Sequence, residues 1–410
     1  MCLEMPISAY AVAKFPDPEV NLSAFGALLI AICFFFESPM WSLLGSSAAL
    51  VRTKEDFRIL HHFLNILCAA LAAIYLLLVV SPLANFIVIP LFGATQDLYA
   101  LALPSFVIGA VWPFLIGYRR VNQGVLIHVG KSKLVSLTSI SRIFTLVISL
   151  SVAYIWQPNL SGLTIISVCS TLALLTDAGF SHIFVLKYGI PRLTEEKSEL
   201  TVRATWDFCS PTILASVVSQ LMMPLGSAVL FRLPESRLSL IVWPAITGLL
   251  QLIRTAGLSL IELTASCGDN PKNRATILKF SNRISIFLLV FLLVFVFSGI
   301  AENYFSIFAG LEKEYAKFAS ATLAYAIFYP VIEPRLWYLT GVSYALKKTN
   351  LVAKATFVAV GLGFALYFIG LNQSFLSGAA FLLVLFTICT LAETAVLYSG
   401  DCRRTSRLVG

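Results

Sequence analysis

The chain has 410 residues, 58% of them apolar and 12% charged, where an ordinary soluble domain carries about 25% charged residues. With a mean hydropathy of +0.87, this excludes water-soluble globular, disordered, collagenous and disulfide-scaffold classes and leaves an all-α polytopic membrane protein. The net charge of +8 reads as loop charge that orients the chain in a bilayer, not as a nucleic-acid footprint.

Residues 1–20 carry Glu4, Pro6, Pro16, Asp17, Pro18 and Glu19, and lack the basic start and apolar block of a cleavable signal peptide. A spanning helix needs about 20 mostly apolar residues. Eleven stretches qualify: 22–50, 60–83, 98–118, 134–156, 161–185, 204–231, 238–265, 284–300, 317–340, 351–370 and 374–399. Charged clusters such as Arg52-Thr-Lys-Glu-Asp-Phe-Arg58 and turn formers such as Gln157-Pro-Asn-Leu-Ser-Gly162 separate them. Segment 272–283, with Lys272, Arg274, Lys279 and Arg283 between apolar residues, predicts an amphipathic helix lying on the membrane before its span begins.

Taken by alternate loops, 21 of the 29 Lys and Arg fall on one side, 5 on the other, and Arg142, Arg254 and Arg335 lie within spans. The rich side includes loops 119–133, 186–203 and 335–350. The positive-inside rule makes it cytoplasmic, with the C-terminus inside, the N-terminus outside, and the plasma (inner) membrane as the expected location.

Slid against itself, the chain matches at an offset of 217. Pro113, Gly124, Val125, Lys131, Leu134 and Val135 fall on Pro330, Gly341, Val342, Lys348, Leu351 and Val352. One residue out of that register, Leu160-Ser-Gly162 matches Leu376-Ser-Gly378. The unit is six spans in parallel orientation about an axis along the membrane normal. The domains expected are an N-lobe at 1–190 with about five spans, a cytoplasmic linker at 191–203, and a six-span C-lobe at 204–410. Copy two begins with a full span near 204, so the first helix of copy one is expected to be missing, and residues 1–15 to form at most half a helix.

Phe328-Tyr-Pro-Val331, Arg335, Leu339-Thr-Gly341 and Leu346-Lys-Lys-Thr349 resemble the corresponding stretch of progressive ankylosis proteins. These belong to the multidrug/oligosaccharidyl-lipid/polysaccharide (MOP) exporter superfamily, with the multidrug and toxic compound extrusion (MATE) transporters. Trp112-Pro-Phe, Arg119-Arg120, Gln123-Gly-Val-Leu-Ile and Gly130-Lys resemble the connection between helices four and five of the same superfamily. The resemblance implies two pseudo-symmetric six-helix lobes around a cavity that opens alternately to each side.

Charges inside spans are the candidate ion and substrate pathway, because each costs about 2.5–3.5 kcal/mol at a helix centre. Glu37 and Arg254 occupy one repeat slot with opposite sign, and either pair across the lobes or pair within their own. Asp177 and Glu393, 216 apart, are acids at one slot and suit helix packing as well as ion binding. In Pro330-Val-Ile-Glu-Pro-Arg335, two prolines four apart are expected to unwind a helix and expose carbonyls. There Glu333 is a candidate for a coupling proton or sodium and Arg335 for an anionic group; the competing reading is a proline-kinked packing helix. Arg142 lies mid-span and is expected to pair within its lobe.

Other signals fail. Eight cysteines stand singly without a Cys-x-x-Cys, and His61, His62, His128 and His182 offer no metal pair on one helix face. Gly124-x5-Gly130-Lys131-Ser132 has one residue too many for a phosphate loop. Sequons at Asn21, Asn159 and Asn372 sit at span ends. No loop has room for a catalytic domain, so no enzyme and no cofactor beyond a coupling ion are expected. The reading is a monomeric secondary-active exporter or flippase among membrane lipids, driven by protons or sodium. Its substrate is a cationic drug, a small organic anion or a lipid-linked saccharide; the alternative is a truncated, non-transporting membrane protein.

Overall fold

The computed structural model describes residues 4–405 except 13, 18–19, 22–23, 87, 90–95, 157–158, 221, 223–225, 227–229, 231–232, 308–310 and 371–374. The sequon at Asn372 lies outside the described residues. By its contacts the chain divides into two units, Met1–Ile213 and Leu214–Gly410, a boundary inside the helix Val202–Gln220. Among the described residues, nine helices are long and apolar enough to cross a membrane.

Unit 1 opens with α1 (Glu4–Val12), whose nine residues rise about 13 Å, too short to cross a bilayer. A π-helical stretch, Ala24–Ile30, leads into α2 (Ala31–Trp41) and α3 (Leu43–Leu50). Then come α4 (Lys54–Val80), α5 (Gln96–Gly109), α6 (Trp112–His128), α7 (Ser132–Trp156) and α8 (Gly162–Phe184). Helical turns carry on to Arg192, and α9 (Val202–Gln220) crosses the boundary. Unit 2 holds α10 (Ser236–Cys267), α11 (Pro271–Phe297), α12 (Ile300–Ile307), α13 (Lys313–Leu323), α14 (Tyr329–Ala345), α15 (Thr349–Gly370) and α16 (Gly378–Thr405).

Three expectations change. Segment 272–283 is no separate surface helix: α11 runs unbroken from Asn270, whose side chain accepts from Lys272 N, because nothing between 271 and 297 breaks it. The stretch 317–340 is not one helix. It stops at a 3-10 turn, Ala324–Ala326, and restarts with Pro330 in the first turn, where a missing donor costs nothing. The loops expected at 119–133 and 335–350 are mostly helix, since α6 runs to His128 and α14 to Ala345, and Ser343 is buried.

The repeat is visible residue by residue. Helices α4 and α11 each have 27 residues and α6 and α14 each have 17, with both ends of each pair offset by 217. Gly130 and Lys347, at the same offset, take positive φ of 75° and 55° after those helices. A Cβ on Gly124 would lie 2.6 Å from Leu44 O, and one on Gly341 2.7 Å from Ile261 O, again 217 apart. Only glycine lets these helices approach so closely. Serines at the next register cap α8 and α16: Thr164 N donates to Ser161 Oγ and Ala380 N to Ser377 Oγ.

Segment 193–201 is docked on the start of α4. Thr194 N donates to Arg52 O and Lys54 N to Thr194 O. Asp56 accepts from Arg52 N, Thr53 N and the Ser198 hydroxyl, and Glu55 from Ser198 N. Lys54 reaches Glu195 at 2.6 Å and holds that carboxyl below its ordinary range.

Large apolar side chains face outward on the long helices: Ile66 and Leu77 on α4, Phe144 and Ile148 on α7, Phe287 and Val290 on α11. Charged side chains lie inside instead, the inversion that lipid allows. Cys33, Cys68, Cys169, Cys209 and Cys389 are free and buried.

Candidate functional site

Each unit encloses a charge cluster. In unit 1, Asp177 on α8 is fully buried and accepts from Arg119 Nη1 of α6 at 2.9 Å, with side-chain exposures of 0% and 3%. Gln123 Nε2, one turn on from Arg119, donates to the other carboxylate oxygen at 3.4 Å, and the Ser181 hydroxyl at 3.5 Å. Arg142 of α7 stands 4.0 Å from Asp177 and bonds Glu4 of α1 at 2.5 Å. Glu37 on α2 is buried, has no hydrogen bond or ion pair among the described residues, and feels Arg142, Glu4, Arg119 and Arg120 through space.

In unit 2, Arg254 of α10 donates through Nε to Glu333 Oε1 of α14 at 2.6 Å. Its guanidinium lies over the rings of Tyr329 and Trp337, 5.4 and 5.9 Å from their centroids, and donates to Gln251 at 3.2 Å. The second Glu333 oxygen is buried without a hydrogen-bond partner, and the Tyr329 hydroxyl lies beside the carboxylate. Glu393 of α16 accepts from Thr356 of α15 at 2.7 Å and acts on Glu333 through space.

The structure therefore brings Arg254 together with Glu333 inside one unit, the intra-lobe alternative of the sequence reading. It gathers Arg142 and Asp177 into the other cluster and puts Glu393 beside Glu333. Arg335 goes elsewhere: two residues beyond Glu333, it points to Asn282 of α11 at 3.4 Å and lies between Tyr338 and Tyr398. Nor does the Pro330/Pro334 pair unwind α14, which continues through Pro334. Asn21 is no open acceptor either, since its amide bonds Pro16 O, Asp17 O and Leu163 N.

Sequence reasoning missed Arg119, Gln123 and Glu4, having treated Arg119 as the start of a loop. The repeat held a signal. At the offset of 217, Arg119 meets Leu336, Arg142 meets Ala359, and Glu333 meets Ile116, all three apolar residues buried. A slot that is apolar in one copy and charged in the other marks a buried charge.

No family model and no curated protein matches the chain. Solved structures do. An outward-facing multidrug resistance MATE transporter of the MOP superfamily matches with a TM-score of 0.74 at 14% identity, over 99% of this chain and 92% of that one. The Vibrio cholerae MATE transporter VcmN matches with a TM-score of 0.74 at 14% identity, over 98% and 93%. A MOP superfamily transporter from Pyrococcus furiosus, described as having a binding pocket of reverse polarity, matches with a TM-score of 0.69 at 12% identity, over 98% and 92%. The chain is a multi-pass membrane protein, and its fold is that of the MATE transporters of the MOP superfamily.

Proposed function

We propose that the protein is a secondary-active exporter or flippase that works by alternating access and is driven by protons or sodium. The observation that carries this is the unit 2 cluster, where Arg254 pairs with Glu333 while a second buried carboxylate, Glu393, accepts from Thr356 and acts on Glu333 through space. A buried carboxylate without a counter-charge costs several kcal/mol, so it takes up a proton or binds a cation. Glu37 is buried as well, but three arginines act on it through space. Under this reading the Lys/Arg-rich ends of the helices face the cytoplasm. The fold, shared with transporters at low identity, supports transport and leaves the substrate open among the three classes above.

The test is reconstitution of the full chain in liposomes with an imposed pH or sodium gradient, using ethidium and succinate as cationic and anionic probes. Gradient-driven accumulation of either that Glu333→Gln reduces is the expected result. Accumulation indifferent to both gradients would overturn ion coupling.

A further inference from the structure

We propose that Lys279, Arg283 and Arg335 bind the phosphate headgroup of an anionic membrane lipid at the Lys/Arg-rich end of unit 2, where α14 packs on α11 and α16. The site requires only that these helices span a bilayer, so it goes beyond the ion-coupled transport reading and does not rest on it.

Arg335 of α14 donates through Nη1 to Asn282 Oδ1 of α11 at 3.4 Å, its one hydrogen bond among the described residues. The rings of Tyr338 and Tyr398 lie 5.8 and 5.9 Å from its guanidinium carbon and hold the charge in place. A guanidinium has a fork of N–H donors matched to a phosphate, and most of this one is left over. On α11, Lys279 and Arg283 flank Asn282, are exposed, and stand four residues apart on one helix face. Among the described residues none of the three cations forms an ion pair. Glu333 and Glu393 are engaged by Arg254 and Thr356 instead.

The repeat provides an internal comparison. At the offset of 217, Asn282 meets Asn65, while Arg335, Lys279 and Arg283 meet Tyr118, His62 and Ile66. In unit 1 the slot closes on itself, because the Tyr118 hydroxyl donates to Asn65 Oδ1 at 2.6 Å. Unit 2 keeps the asparagine, replaces its phenol partner with a guanidinium, and adds two further cations. Like charges four apart weaken a helix. Gathering three cations without an acid therefore costs the fold something that an anion from outside the chain would return.

Depth and surroundings select a lipid as that anion. A hydrocarbon layer of about 30 Å takes about 20 helical residues. Counted back from Phe297 at the end of α11, this sets the edge of the layer near Leu278; counted on from Gly378 at the start of α16, it falls near Tyr398. The three cations stand close to that edge, where Lys and Arg side chains extend to the headgroups. Past Arg283 toward the middle of the layer, Ile286, Phe287 and Val290 continue the same face of α11, exposed by 63%, 66% and 55%. Cations at the edge with an apolar strip beneath them match a headgroup and its acyl chains, whereas a free phosphate has no use for the strip. Each basic residue at a membrane surface is worth about fivefold in binding.

The experiment is photo-crosslinking of the full chain in phosphatidylcholine liposomes. Trace phosphatidylglycerol or phosphatidylcholine carries a diazirine at the head of one acyl chain, and the labelled peptides are mapped. Phosphatidylglycerol is expected to label the peptides holding Asn282 and Tyr398 at least about fivefold more than phosphatidylcholine does. Arg335→Gln should lower that excess about fivefold and Arg335→Lys should retain most of it. The triple change Lys279→His, Arg283→Ile and Arg335→Tyr, which copies unit 1, should remove it while labelling elsewhere on the chain is unchanged. Should Arg335→Gln not fold, Lys279→Gln combined with Arg283→Gln replaces it. Equal labelling by the two lipids, or an excess that survives the triple change, would overturn the site. An excess abolished by millimolar inorganic phosphate at constant ionic strength would assign the cations to a free anion and overturn the lipid.

Discussion

Replacing Arg254 with Gln removes the one arginine from the unit 2 cluster and leaves Glu333, with 2% of its side chain exposed, beside a second acid. Breaking a buried pair from one side costs about 3–5 kcal/mol. Arg254 keeps 28% of its side chain exposed, so water relaxes part of the loss, and about 2–3 kcal/mol is expected. The reverse change is milder. After Glu333→Gln, the guanidinium retains Gln251 at 3.2 Å and two aromatic faces. That change should cost about 1 kcal/mol. In the double variant neither charge is stranded, so the cycle should show about 1–2 kcal/mol of favourable coupling. Denaturant titration of the purified protein in mixed micelles, followed by tryptophan fluorescence, gives all four free energies. Two results would refute the reasoning: Glu333→Gln more damaging than Arg254→Gln, or losses that add to within about 0.5 kcal/mol.

The repeat-equivalent acids should part company: Asp177→Asn removes the buried counter-charge 2.9 Å from Arg119 and should destabilise by about 3 kcal/mol, whereas Glu393→Gln should leave melting nearly unchanged while impairing ion-driven accumulation. Equal melting losses would count against this. Gly124→Ala and Gly341→Ala should each cost about 1–3 kcal/mol by forcing a Cβ against a backbone carbonyl. By contrast, Gly248→Ala and Gly361→Ala, whose added Cβ meets nothing within 4 Å, should be neutral or stabilising by up to about 1 kcal/mol in the same titration. Cysteines at Lys197 and Phe375, both exposed, should react with an impermeant maleimide from opposite sides of the membrane, the first only after the cells are opened; labelling of Lys197→Cys in intact cells would reverse the orientation.

Much of the scaffold was legible because it depends on local rules applied twice. The offset of 217, read from a handful of matched residues, reappears in helix ends, in the positive φ after α6 and α14, and in the two glycines that admit a neighbouring backbone. The pairing of charges was less legible. Charge in a sequence suggests the end of a span, but Arg119 sits inside a helix because Asp177 and its neighbours satisfy it there. Glu37 and Arg254 share a repeat slot, yet a shared slot says nothing of contact. Arg254 finds its acid one helix away on α14, at a position where the other copy has Ile116. Segment 272–283 misleads because basic residues at a helix end can extend along its surface while the backbone continues into the apolar stretch.

The two clusters differ in what a bound cation would gain. In unit 1, Glu4, Glu37 and Asp177 stand against Arg119, Arg120 and Arg142, so the cluster is formally neutral, and adding positive charge leaves it with an excess of arginine charge. In unit 2 the arginine slots of that arrangement hold Leu336, Trp337 and Ala359, and Arg254 pairs with Glu333 while Glu393 accepts from Thr356. One negative charge is left over in a poorly hydrated place, so a proton or sodium ion restores balance without breaking an existing bond. A single ancestral scaffold, duplicated, can in this way carry one unit that holds its charge fixed and one that takes charge up. The substitutions that divide those roles are the ones at which one copy is apolar and the other charged.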